Sequence, residues 1–147
     1  LTVSEHLEFM RRAYRMDDDG YGEALLQRFE MWDKRDKLGK ELSKGMQQKL
    51  SIACAMVHKP EVLIFDEPLV GLDPHAIKEL KSIFRELRAD GRAVLISTHM
   101  IDSVEDYWDV AHIMMNGEFA ATRRASETEG RDLEELFFAI TEGGEKE

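Results

Sequence analysis

Val62-Leu63-Ile64-Phe65 is an unbroken apolar run held between Pro60 and Pro68, and two adjacent carboxylates, Asp66 and Glu67, follow it directly. A run this short, with a breaker on each side, predicts a strand covered on both faces, as in a parallel sheet. Downstream, Asp73 is placed to cap a helix with Pro74 in its first turn and Leu80, Ile83, Phe84 and Leu87 on one face. Asp90-Gly91 ends that helix, and Ala93-Val94-Leu95-Ile96-Ser97 repeats the apolar pattern. Residues 62–97 therefore predict a strand-helix-strand unit with a right-handed parallel crossover.

The flanking segments have a different character. Thr2-Val3-Ser4-Glu5 fits a capping box, and Val3, Leu7, Met10 and Tyr14 recur at helical spacing, which predicts a helix over residues 4–16. A second helix is expected over 21–33, with Leu25, Leu26, Phe29 and Trp32 on one face. A third, capped by Ser43, carries Met46, Leu50, Ala53 and Val57 and stops at Lys59-Pro60. Beyond Ser97 the pattern predicts a helix near 100–107, a strand over 110–115, an Asn116-Gly117 hairpin turn returning through 118–122, and a last helix over 131–140. The division expected is an all-helical part, 1–58, an α/β part, 60–124, and a C-terminal helix with an acidic tail, 125–147.

Composition narrows the functional classes. Thirty acidic against twenty basic residues give the 147-residue chain a net charge of -10, which repels a phosphate backbone, so no nucleic-acid partner is expected. Cys54 is the only cysteine and lies in an apolar stretch, so it reads as a small buried hydrophobe. No disulfide framework or Cys/His metal spacing is present, which suits a reducing cytoplasm. No apolar run approaches the roughly 20 residues that span a bilayer, and no signal peptide is visible. Leu1, standing where a Met would open a natural chain, points to a trimmed piece.

The carboxylates carry the chemistry. Ligands of open parallel sheets bind beyond the carboxyl ends of the strands, where Asp66 and Glu67 follow one strand and His99 follows the next. One carboxylate there can hold Mg²⁺ and the other can orient or deprotonate a water for attack on a phosphate. His99 could bond the terminal phosphate. The plain alternative is a solvated Asp-Glu-Pro turn and a structural histidine. Ser43-Lys44-Gly45 has the same two readings: an ordinary capped helix, or a helix start whose free N–H groups, hydroxyl, charge and missing Cβ suit a phosphate.

Taken in order, these motifs resemble the nucleotide-binding domain of ATP-binding cassette (ABC) transporters. Leu42-Ser43-Lys44-Gly45-Met46-Gln47 is similar to the signature Leu-Ser-Gly-Gly-Gln. Val62–Asp66 resembles the Walker B strand, Glu67 the catalytic glutamate, Gly71-Leu72-Asp73 the D-loop and His99 the switch histidine. Order and spacing match over residues 1–124. Lys44 and Met46 depart from the commonest signature and resemble the form of bacterial ABC-2-type exporters. No G-x-x-x-x-G-K-S/T occurs, and no glutamine stands where the family's loop glutamine belongs. The resemblance thus implies the C-terminal portion of a P-loop NTPase core plus the ABC helical subdomain. It implies ATP and Mg²⁺ as ligands, with Asp66 at the metal, Glu67 and His99 in catalysis, and Ser43, Lys44, Gly45, Met46, Gln47 and Asp73 at ATP. It also implies a second nucleotide-binding domain and a membrane permease as partners, with a place at the inner face of the plasma membrane. The rival expectations are a soluble ABC ATPase outside transport, or a degenerate, non-catalytic module. The isolated chain is expected not to hydrolyse ATP, and to expose a sheet edge and an apolar face that promote self-association.

Overall fold

The computed structural model describes residues 1–101, 104, 107–127 and 133–143. It divides into two compact units, Leu1–Ser97 and Thr98–Glu147.

In the first unit, α1 (Val3–Ala13) starts with the expected reciprocal cap: Thr2 Oγ1 accepts from the Glu5 backbone N–H at 3.2 Å, and the Glu5 carboxylate accepts from the Thr2 backbone N–H at 2.8 Å. The helix ends at Ala13, short of Met16, because Arg15 turns into the left-handed region with φ 56°. Helix α2 (Tyr21–Arg28) is likewise shorter than expected: Glu30, at φ 55°, breaks it, and Trp32–Lys34 form a separate 3₁₀ turn. Helix α3 (Lys44–Met56) begins at Ser43, whose Oγ accepts from the Met46 N–H at 3.3 Å. Val3, Leu7, Leu25, Leu26, Leu50, Ala53 and Met56 from these three helices are buried, with Phe29 at the C-cap of α2.

Strand β1 (Val62–Asp66) pairs in parallel with β2 (Ala93–Ser97), in the register Val62↔Ala93, Ile64↔Leu95 and Asp66↔Ser97. Helix α4 (Pro74–Ala89) connects them. Its inner face, Ala76, Leu80, Ile83, Phe84 and Leu87, is buried, and Phe84 meets Phe65 with ring centroids 5.5 Å apart. Arg28 on α2 grips Glu79 at 3.1 Å and Glu86 at 2.7 Å on the outer flank of α4.

One expectation fails here. Strand β1 is not covered on both faces: Leu63 and Phe65 are buried, whereas Val62 is 61% and Ile64 72% exposed, and Leu95 beside them is 56% exposed. Among the described residues of this unit, helices close one face of the strand pair, so alternate side chains of the same apolar run meet solvent.

In the second unit, β3 (Val110–Met115) and β4 (Glu118–Arg124) form an antiparallel hairpin with an irregularity at Ile113/Met114. The two turn residues, Asn116 at φ 51° and Gly117 at φ 84°, both occupy the left-handed region, as a two-residue turn of this hand requires. Helix α5 is Leu133–Gly143, and the first residues of the helix expected over 131–140 lie outside the described residues. Four residues of the helix expected near 100–107 also lie outside them. No described helix is long and apolar enough to cross a membrane.

Candidate functional site

A strand that ends in two carboxylates must turn sharply to keep both at its mouth. Asp66 is exposed as the last residue of β1, and its Oδ1 accepts a short bond from Ser97 Oγ, its register partner on β2. Glu67 follows in the left-handed region at φ 46°, a conformation that side-chain-bearing residues seldom adopt. Its backbone N–H donates to Ser97 O at 2.9 Å and its carbonyl accepts from Val70 N–H at 3.3 Å, so the turn is fastened at both ends. Buried Pro68 comes next. A strained backbone held by surrounding structure beside two acidic side chains is common at functional sites.

The start of α3 lies against the loop after Glu67. A Cβ on Gly45 would stand 2.7 Å from the carbonyl oxygen of Gly71, so only glycine permits this approach. Gln48 Nε2 donates to Pro68 O at 3.4 Å. Lys49 Nζ reaches Asp73 Oδ2 at 2.6 Å, and the other carboxylate oxygen of Asp73 accepts from Ala76 N–H at 2.9 Å, capping α4. The lysine beside Asp73, and then the Ala76 bond, hold its carboxyl below the ordinary carboxylate range.

The expected phosphate-facing residues divide in two. Ser43 and Lys44 are exposed at the first turn of α3, where unpaired N–H groups and the dipole favour an anion. Gln47 is turned back into the chain, its Nε2 donating to Leu42 O at 3.2 Å and Gly39 O at 3.4 Å. Gly45 and Met46 are partly covered. His99 is exposed and begins two residues beyond β2, in the second unit.

Hard oxygen donors, the Asp66 carboxylate and Ser97 hydroxyl, stand together at the strand ends, a donor set that suits Mg²⁺, which keeps several waters and needs few protein ligands. Among the described residues, no cluster of three or more His, Cys, Asp or Glu side chains forms a self-sufficient metal cage. Cys54 is partly buried and its thiol is pushed up to about 11 by that burial, which leaves it protonated and unreactive at neutral pH.

Sequence reasoning missed Lys49. It stands three residues after Met46 and four before Ala53, on the edge of the apolar stripe of α3, and a lysine at that spacing was the available signal. It is the one buried charged residue among the described residues.

Comparison with known proteins points the same way. A family model described as "ABC transporter" matches residues 1–70. The ABC-type transporter ATP-binding protein EcsA of Bacillus subtilis is 38% identical over 130 residues, covering 86% of this chain and 53% of EcsA. The bacitracin transport ATP-binding protein BcrA of Enterococcus faecalis is 31% identical over 144 residues, covering 97% of this chain and 47% of BcrA. A solved structure described as an ATP-binding subunit of an ABC transporter superposes with a TM-score of 0.87 at 34% identity, covering 96% of this chain and 62% of that one. The chain spans about half the length of the curated relatives it matches.

Proposed function

Because the chain belongs to the ABC transporter ATP-binding family, whose P-loop NTPase fold it shares, we propose that it serves as part of an ATP-hydrolysing subunit that drives a membrane permease. The observation that carries this reading is the fastened turn at the end of β1, which holds Asp66 and Glu67 at the strand mouth beside Ser97.

In this reading, residues 1–58 form the helical subdomain, 60–124 the Walker B half of the core, and 125–147 the C-terminal helix and tail. Asp66 and the Ser97 hydroxyl beside it would hold Mg²⁺. When bound, the cation shields phosphate charge. Glu67 orients the attacking water and accepts its proton from the fastened left-handed turn that follows β1. His99 bonds the terminal phosphate. The first turn of α3, with Ser43, Lys44, Gly45 and Met46, offers N–H groups, a hydroxyl and a cation to the phosphate of an ATP held by a second nucleotide-binding domain. Gln47 contributes indirectly, by fastening the 39–42 turn that leads into Ser43. Asp73 transmits between the two sites. The names of relatives such as the octopine permease ATP-binding protein P of Rhizobium meliloti, 37% identical over 126 residues, support a permease as partner. The subunit would then work at the inner face of the plasma membrane.

The 147 residues contain no P-loop sequence, which favours a chain that does not hydrolyse ATP by itself. The test uses the complete protein with its permease. Glu67→Gln is expected to lower the maximal ATPase rate by about 10²- to 10⁴-fold, the usual worth of a general base, while ATP binding persists. An unchanged rate removes Glu67 from this role.

A further inference from the structure

Three contacts join the first two turns of α3 to the loop between Glu67 and α4: Gly45 on the Gly71 carbonyl, Gln48 on Pro68 O, and Lys49 on Asp73. They differ in kind. The Gly45 approach is permissive, since it only requires that nothing be there, and the Gln48 bond at 3.4 Å is long. The Lys49–Asp73 pair is charged, 2.6 Å long, and buried at its lysine end, and its aspartate is already fixed by the cap on α4. A buried ammonium whose carboxylate partner among the described residues is Asp73 has a steep penalty for leaving it, so of the three contacts this is the most costly to break.

We infer that Lys49 is a positioning residue: its ion pair with Asp73 locks the phosphate-facing start of α3 to the loop that follows Glu67, so the two edges move as one body. This rests on the nucleotide reading proposed above. It adds that Ser43 and Gly45 are aimed by a side chain that touches no nucleotide, and that displacement of the loop after Glu67 is carried into α3 within the same chain.

The test compares Lys49→Met, Lys49→Arg, Asp73→Asn and the Lys49→Met/Asp73→Asn pair in the complete protein, using amide hydrogen exchange and steady-state ATPase kinetics. Lys49→Met should speed exchange at least about tenfold both in 44–48 and in 70–73, leave the α2 core residues Leu25 and Leu26 unchanged, and lower kcat about 10- to 100-fold with KM for ATP within about threefold. Lys49→Arg should restore both readouts, and the double variant should be no worse than Lys49→Met. Exchange that rises evenly across the chain, exchange that rises only around residue 49, or kcat that holds at wild-type level would each overturn the proposal. If Lys49→Met fails to fold, Asp73→Asn supplies the same exchange comparison. A wild type that hydrolyses no ATP would defeat the nucleotide reading, while the exchange pattern would still decide whether the link exists.

Discussion

The two faces of β1 are built from one apolar run and meet opposite fates. Leu63 and Phe65 are buried, Phe65 against Phe84 of α4, whereas Val62 and Ile64 face solvent alongside Leu95. The four side chains are similar in hydrophobicity, so the difference comes from what lies opposite them. Burial is a property of the pair of surfaces, and an apolar strand supplies only one of them. The expectation of a doubly covered strand was a statement about Val62 and Ile64 that only an opposing layer could satisfy.

The sharpest way to probe this contrast is truncation on the packed face. Phe65→Ala, which removes a buried ring in contact with Phe84, is expected to destabilise the first unit by about 3–5 kcal/mol. Urea unfolding followed by Trp32 fluorescence in a Trp108→Phe background reads this, and a change below about 1 kcal/mol would show that the ring is not packed as described. Removing the cap of the covering layer comes next. Asp73→Ala loses about 0.5–2 kcal/mol for the N-cap of α4, and because it also strands the buried Lys49 ammonium the total should approach that of Phe65→Ala. The pH dependence adds a signature: Asp73 has a depressed carboxyl in the folded chain, so its contribution is fully present above the ordinary carboxylate range and disappears as pH falls through the folded value. The gap between wild type and Asp73→Ala should therefore be constant near neutrality and close in acid. A gap that widens with acid would reverse the assignment. The smallest effect belongs to the open face: in the 147-residue chain, Ile64→Ser should change stability by less than about 0.5 kcal/mol. A loss comparable with Phe65→Ala would mean that something covers Ile64.

The candidate site shows the same division between what is local and what is assembled. Its motifs were legible because each depends on near neighbours along the chain. Ser43 caps α3 and Asp73 caps α4 through bonds three residues away; outside the site, the Asn116-Gly117 turn was legible for the same reason, since it needs only two left-handed residues. The resemblance to the ABC family came from the order of such motifs, and the comparisons bear it out. Helix ends were read less well: α1 and α2 stop early because Arg15 and Glu30 take left-handed conformations that no glycine announces. Gln47, proposed to act at the nucleotide, donates to backbone carbonyls of the 39–42 turn, an arrangement set by how that turn folds back and not legible in the motif.

The sequence by itself determined the element order, the caps, the parallel strand-helix-strand unit and the placement of Asp66 and Glu67 at a strand mouth, because spacing and turn chemistry act over a few residues. Only the tertiary structure decided that Glu67 takes a left-handed backbone, that Gly45 is needed for the Gly71 carbonyl, that Lys49 is buried against Asp73, and that half of β1 is open. Each of these depends on atoms distant in the chain arriving at one point, and pairwise distance in space is not written in spacing along a sequence.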